Sequence, residues 1–258
     1  MEEKILKPAI YLIPVGLSDA DPDSVVPAST IDVLRSVKHL VVENLRTARR
    51  WIKRCDRNID IDSISFTELN EHSDLSDIGH LLAPLRSGLP VGVMSEAGCP
   101  GVADPGAALV ELAHRMNLPV VPLIGPSSIL LSLMASGFNG QRFAFHGYLP
   151  ISDSEKTVVV RAFERDSQKF GTTHIFIETP YRNNKLVKFL SETLCADTKV
   201  CVAANLTDPE REKVTVLTAS EWRKATYDFA KQPAIFLISA ADMTSNSTHK
   251  KREKWQRK

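Results

Sequence analysis

The 258-residue chain has no C-x-x-C pair among its four cysteines (Cys55, Cys99, Cys195 and Cys201) and no H-x-x-x-H or H-E-x-x-H arrangement among its seven histidines. The ligand spacings of a zinc site are therefore missing, and no metal is expected. A secretory signal and a long apolar run are also missing. These absences point to reduced thiols, no disulfide and a cytoplasmic protein without a membrane segment. Strong net charge is lacking too, since 32 Lys and Arg against 31 Asp and Glu leave +1. That excludes the overall basic field that would by itself announce a nucleic-acid binder. The charge is unevenly placed, however. Residues 247–258, STHKKREKWQRK, carry six cations and one acid, so a body of net −4 precedes a tail of net +5.

What is present is an ordinary globular composition, 43% hydrophobic and 24% charged, with length for one large α/β domain or two smaller ones. Short apolar segments (AIYLIP, HLVVEN, DSISF, PVGVMS, PVVPLI) alternate with helical patterns. Ser29 or Thr30 would cap a first helix carrying Ile31 and Leu34. A second helix runs from Arg46 to Cys55, and the clearest one follows Asp74, with Ile78, Leu81, Leu82 and Leu85 at i, i+3, i+4, i+7 and Gly88 as a stop. This rhythm predicts a parallel, doubly wound sheet over residues 1–124, with ligands at the carboxyl ends of its strands. GPSSILLSLMASG then reads as a helix with Pro126 in its first turn. Beyond it RFAFHGYLP, a charged helix from Ser154, THIFIETP, a helix from Arg182, and the strands KVCVAANL, KVTVLT and AIFLISA form a second α/β unit over 125–240. Two strands follow one another without a helix around 205–218, which predicts a mixed sheet. Residues 241–258 are expected to be a disordered basic tail.

One loop stands out. SEAGCPGVADPG, Ser95 to Gly106, holds three glycines, two prolines and the carboxylates Glu96 and Asp104. Nucleotide phosphates are disfavoured because G-x-x-x-x-G-K-[ST] is missing, and a dinucleotide because Gly16 stands alone after the first strand. A ligand with an amine and hydroxyls fits better, since carboxylates and backbone carbonyls accept from both; S-adenosylmethionine (SAM) is such a molecule. The alternative is a tight strand-to-helix turn with Asp104 as the helix N-cap.

YLIPVG, SEAGCPGVADPG, PLIGPSSILLSLMASG, FAFHGYLP and FIETPYR occur in this order between about Ile10 and Ala240. The set resembles the SAM-dependent tetrapyrrole methylase superfamily, and within it the branch of the small-subunit ribosomal RNA cytidine 2′-O-methyltransferases. The resemblance implies two α/β domains, a SAM cleft between them, a homodimer and no metal. It places SAM contacts on Pro14, on Ser95, Glu96, Ala97 and Gly98, on Val102, Ala103 and Asp104, on Ser127 and Ser128, and on Leu206, Pro233 and Ala234. The branch reads S-D-A-G-T-P where this chain has Glu96 and Cys99, E-D-T-R where it has Glu43-Asn44-Leu45-Arg46, and L-T-K where it has Leu206-Thr207-Asp208. The chain is thus a divergent relative.

Methyl transfer from a sulfonium is an in-line displacement that calls for orientation, exclusion of water and, for a hydroxyl acceptor, a base. Candidate catalytic residues are Glu43 and Arg46, which otherwise form a helix-start ion pair, and Glu178 and Arg182, which otherwise cap a helix, with Tyr181 placed to stack on a base. Cys99 reads as a small side chain and His146 as a strand-end residue. The implied activity is ribose 2′-O methylation of ribosomal RNA in the small ribosomal subunit. The alternatives are a methylase of a small molecule or a modified protein side chain, and a SAM-binding protein without catalysis.

Overall fold

The computed structural model describes residues 5–70, 72–74 and 78–240, so the expected disorder of the basic tail lies outside the described residues. The chain divides at Ser127–Ser128 into two units, and Thr207–Pro209 belong with the first.

The first unit contains, in chain order, β1 (Ile10–Leu12), α1 (Pro22–Val25), α2 (Ala28–Ser36), β2 (His39–Val42), α3 (Leu45–Cys55), β3 (Ser65–Glu68), α4 (Ala83–Arg86), β4 (Val91–Met94), α5 (Gly106–Arg115) and β5 (Val120–Pro122). Its strands are all parallel in the order β3-β2-β4-β1-β5. Alternate strand residues face opposite ways. Leu40, Val42 and Met94 join Leu34 of α2 and Trp51 and Ile52 of α3 in one cluster, whereas Ile10, Val41, Val91 and Val93 join Leu82, Leu85, Leu109 and Ala113 in another. Apolar residues on both faces of a sheet are what parallel crossovers require, which is why the inner strands β1, β2 and β4 lack a polar face, whereas the edge strand β3, SFTE, is largely exposed. At the centre of β4 a Cβ on Gly92 would lie 2.4 Å from Leu40 Cδ2 and 2.8 Å from Ile13 Cδ1, so only glycine lets these side chains cross the strand.

Three local expectations are corrected. The helix after Asp74 is a 3-10 turn, Gly79–Leu82, followed by the single turn of α4; residues 75–77 lie outside the described residues. Pro84 withholds a backbone N–H from the turn, yet Ile78, Leu81, Leu82 and Leu85 are all buried as their spacing requires. Helix α2 has Pro27 at its N-cap, two residues ahead of the nearer expected cap, and Thr30 Oγ1 donates instead to the Ile124 carbonyl at 3.0 Å. Pro126 precedes its helix, which begins at Ser128.

The second unit contains α6 (Ser128–Ser136), β6 (Phe143–Tyr148), α7 (Asp153–Phe170), β7 (Thr173–Ile177), α8 (Asn183–Thr193), β8 (Lys199–Ala204), β9 (Lys213–Thr218), α9 (Ala219–Trp222) and β10 (Ala234–Ser239). Its sheet runs β6-β7-β10-β8-β9, with β6 and β7 parallel and the other pairs antiparallel. This is the mixed sheet expected from β8 and β9 following one another directly. Val160 of α7, Leu186 and Leu190 of α8, Trp222 of α9 and Phe176, Val202 and Phe236 of the strands form its core. Among the described residues no helix is long and apolar enough to cross a membrane.

Two polar systems tie this unit together, one around the buried Glu164 and one running from the buried His174 to the exposed His146. Glu164 of α7 accepts from the Cys195 N–H at 2.8 Å and from Thr198 Oγ1 at 2.5 Å, tying α7 to the turn before β8. His146 Nε2 and His174 Nδ1 lie 2.9 Å apart, and His174 Nε2 is 3.1 Å from Asp166 Oδ2. The Phe163 ring stacks on both imidazoles at centroid distances of 3.9 and 4.6 Å. His146 therefore belongs to a structural chain within the unit, although it lies inside β6 and not at the strand end where it was expected.

Removing the Glu164 carboxylate leaves the Cys195 N–H and the Thr198 hydroxyl to be rehydrated or orphaned. Glu164→Ala is expected to cost about 1–3 kcal/mol in chemical denaturation. Burial is the first cause that lowers the pKa of both His146 and His174 from the ordinary 6.5, so the unfolded chain protonates before the folded one. Stability is expected to be level above that value and to fall as the pH drops below it, and His146→Phe with His174→Phe should flatten this limb in denaturation curves taken between about pH 6.5 and 5.

Candidate functional site

Beyond Met94 the chain leaves β4 and crosses the carboxyl end of the first sheet before α5 begins. Backbone pairing holds it there. Val15 and Gly98 exchange both N–H···O bonds at 2.9 Å, an isolated antiparallel bridge that joins the segment after β1 to the central loop. Gly98 takes φ +75° and Gly101 φ +82°, the left-handed conformation glycine adopts without steric cost. A Cβ on Gly125 would fall 2.2 Å from Pro14 Cβ, so these two segments touch backbone to ring. Cys99 Sγ, its pKa raised by burial, lies 3.4 Å from the Pro126 carbonyl; it fills space and is no activated thiolate. The first unit thus brings together Pro14, Ser95–Gly98 and the Gly125–Pro126 segment that leads into Ser127.

The carboxylate of Asp104 accepts from the Gly101 N–H, at 3.0 and 2.8 Å to its two oxygens, and from the Gly106 N–H at 2.7 Å. It closes the loop onto the first residue of α5, as the capping alternative anticipated, although Pro105 occupies the N-cap position. Burial pushes its pKa up while the two backbone donors pull it down. Ala103 beside it holds φ +58°, uncommon for a residue with a side chain. Glu96, Ala97, Val102 and Ala103 are exposed, whereas Ser95 and Gly98 are buried. Glu43 at the end of β2 accepts from the Glu96 N–H at 2.9 Å. A small recess opens here, lined by Val42, Glu43, Met94, Ser95, Asp104 and Gly106, with about 10 Å³ of enclosed space, roughly what one water needs.

In the second unit the Asn205 N–H donates to the Pro233 carbonyl at 2.9 Å and Ala234 pairs with Ala204, so Leu206, Pro233 and Ala234 meet at one end of β8 and β10. Asn205 Nδ2 donates to Gln232 Oε1 at 2.8 Å and to the Arg211 carbonyl at 3.2 Å. The buried Asn183 amide donates to the Phe229 and Gln232 carbonyls at 3.1 and 2.8 Å, fixing the approach to Pro233. Asn205 and Thr207 have φ +51° and +69°, so Leu206 is held between two left-handed residues. Thr207 itself belongs to the first unit, where its hydroxyl bonds that of Ser18 at 2.9 Å. Ser128 opens α6, which lies against β8, β9 and β10.

Among the catalytic candidates, Arg182 pairs with Glu178 Oε1 through Nη2 at 2.8 Å and Nε at 3.0 Å, and the Thr179 N–H donates to the same oxygen at 2.7 Å. The Glu178 side chain is nearly buried, and Tyr181, 79% exposed, projects from this turn. Arg46 stands exposed in the first turn of α3, capped by Asn44 Oδ1 through the Arg46 and Thr47 N–H groups at 3.0 and 3.1 Å. An Asn directly ahead of a basic amphipathic run is a cap signal, and it accounts for Asn44. The contacts Glu43–Glu96 and Asn205–Gln232, which sequence reasoning missed, are long-range and leave no local mark. Among the described residues no group of three His, Cys, Asp or Glu is placed to hold a metal ion.

The sequence profile of the tetrapyrrole (corrin/porphyrin) methylases matches residues 9–222. Ribosomal RNA small subunit methyltransferase I of Vibrio cholerae is 29% identical over 201 residues, 78% of this chain and 65% of the relative. The protein of that name from Bacillus subtilis is 30% identical over 204 residues, 79% and 65% of the two chains. The chain therefore spans about 65% of the length of these relatives. Among solved structures, the methyltransferase CobJ superposes with a TM-score of 0.61 at 18% identity, over 90% of this chain and 94% of its own. Uroporphyrin-III C-methyl transferase from Thermus thermophilus, in complex with S-adenosyl homocysteine, gives 0.55 at 16% identity, over 90% and 97%. At such identities the likeness is one of fold. With its doubly wound first sheet, its mixed second sheet and a profile match over most of its length, the chain belongs to the tetrapyrrole (corrin/porphyrin) methylase family.

Proposed function

We propose that this protein is a SAM-dependent methyltransferase that methylates ribosomal RNA of the small subunit on a ribose 2′-hydroxyl, as a cytoplasmic homodimer. The observation that carries the reading is the Val15–Gly98 bridge, which holds a glycine loop over the carboxyl ends of a parallel sheet, where ligands of such sheets bind. Pro14, Ser95, Glu96, Ala97, Gly98, Val102 and Ala103 are the contacts we assign to SAM in the first unit, with Ser127 beside them. Asp104 acts by shaping the loop, which leaves the exposed Glu96 as the carboxylate for the ammonium or ribose groups of the ligand. Ser128, Leu206, Pro233 and Ala234 are assigned in the second unit. The left-handed Ala103 and Thr207 support this, because backbone strain of about 1–3 kcal/mol per residue gathers where a fixed geometry is needed.

The acceptor oxygen attacks the methyl carbon in line with the departing sulfur. The carbon–oxygen bond forms, the carbon–sulfur pair goes to sulfur to give S-adenosylhomocysteine, and the hydroxyl proton passes to a base. Glu178 is assigned that base. Its contacts all fall on Oε1, so Oε2 is left without a partner among the described residues. Arg182 orients the carboxylate and the acceptor, and Tyr181 offers an exposed ring for a base to stack on. Glu43 sets the loop through the Glu96 N–H and, with Arg46, borders the acceptor side.

Gly98→Arg places a side chain at φ +75° in a site where a bare Cβ already meets Leu17 Cδ2 at 3.3 Å, and calorimetry should show loss of S-adenosylhomocysteine binding; unchanged affinity would refute the site assignment. Glu178→Gln should leave that affinity within about twofold and lower the rate of tritium transfer from SAM to 30S ribosomal RNA by about 10²–10⁴-fold. Label appearing in protein or in a small-molecule extract, and not in RNA, would overturn the acceptor.

A further inference from the structure

Helix α3 and the turn after it, RTARRWIKRCDR over 46–57, carry six cations and one carboxylate in a chain whose net charge is +1. The apolar residues Ala48, Trp51 and Ile52 are buried. That turns Arg46, Arg49, Arg50, Lys53 and Arg57 to solvent. Counter-charge is sparse. Asp56 is engaged with Arg35 at 2.7 Å, and the single carboxylate of Asp19 serves both Arg50 at 3.4 Å and Arg54 at 3.2 Å.

Two of the six cations have structural duties. Lys53 donates to the carbonyls of Arg57 and Ile59 at 3.0 and 2.7 Å, satisfying the helix end, and Arg54 lies over the Trp51 ring and donates to the Ala20 carbonyl. The remaining four cations are all guanidinium groups, of which, among the described residues, only Arg50 meets a carboxylate, the exposed Asp19 at 3.4 Å. Arg49 is steadied over the Phe66 ring at 5.3 Å, and Arg46 and Arg57 have no carboxylate partner among the described residues. Arg46 and the 49/50 pair are one helical turn apart, about 5.4 Å along the axis, which is the scale of the step between phosphates on one strand. Guanidinium forks bind phosphate bidentately. An anionic membrane is the poorer occupant, because every apolar residue of α3 in this stretch faces inward and none is left to enter lipid. The strip also begins at the site, since α3 starts two residues after Glu43, which lines the recess and holds the Glu96 N–H.

We propose that the exposed face of α3 and its following turn, through Arg46, Arg49, Arg50 and Arg57, docks the phosphate backbone of the RNA acceptor. This rests on the RNA reading of the site above.

The test uses the full chain and a fluorescently labelled RNA hairpin, titrated at several salt concentrations. Arg49→Gln, Arg50→Gln and Arg57→Gln combined should leave S-adenosylhomocysteine binding unchanged and weaken hairpin binding. The slope of log affinity against log salt should shrink by about 2–3, close to one phosphate contact per arginine. The same three positions changed to Lys keep the charge and should restore most of the slope. Wild-type binding to the hairpin with an equal slope in the Gln variant overturns the proposal and leaves RNA methylation standing. An α3-dependent slope without methyl transfer to any RNA upholds the docking face and rejects the acceptor. Wild type that binds no hairpin overturns it as well. Loss of cofactor binding in both the Gln and Lys variants would place these arginines in the fold, and would also overturn it.

Discussion

The two hydrogen bonds between Val15 and Gly98 are the contact on which the candidate site depends. A parallel sheet delivers its loops to one edge but does not determine their paths, and a glycine-rich segment without tertiary pairing would sample many. By borrowing strand geometry for a single residue pair, the chain pins the middle of the central loop to the exit of β1. The close approach of Pro14 and Gly125 and the chelation of two N–H groups by Asp104 then have fixed ground on either side. Each of the three devices engages backbone groups, and the side chains of Glu96, Val102 and Ala103 stay at the surface.

Much of the fold was legible because burial on both faces leaves a blunt signal. PVGVMS and HLVVEN read as strands since parallel crossovers demand apolar residues at every position. The antiparallel β8–β9 pair followed from two strands in succession. Where the sequence misled, a competing local rule had prevailed. Ile78, Leu81, Leu82 and Leu85 have helical spacing and are buried as a helix would bury them, yet Pro84 and Gly79 break the segment into a 3-10 turn and one α-turn. Thr30 looked like a cap and is a cross-link to Ile124.

The candidate site was legible only in part. Glycines at 98 and 101 announce left-handed backbone, and both have it. Nothing in the letters marks Ala103 or Thr207 as left-handed, whereas Asn205 is of a residue type that tolerates it. Glu43 was visible as a strand-end acid, but its partner is a backbone N–H 53 positions away. Asp104 was weighed as a ligand group or as a cap, and distances of 2.7–3.0 Å to two amides show that it closes the loop. The basic run of α3 was in plain sight; what the sequence could not say is which of its cations the fold already employs.

Thr207 has a meaning of its own. A β-branched residue at φ +69° is among the least comfortable choices for that backbone, and glycine or asparagine would sit there with less strain. One codon change would relax the chain. The hydroxyl that bonds Ser18 would go with it. Relief of the backbone and loss of that contact would come together, so the strain at Thr207 and its bond to Ser18 are one feature seen from two sides.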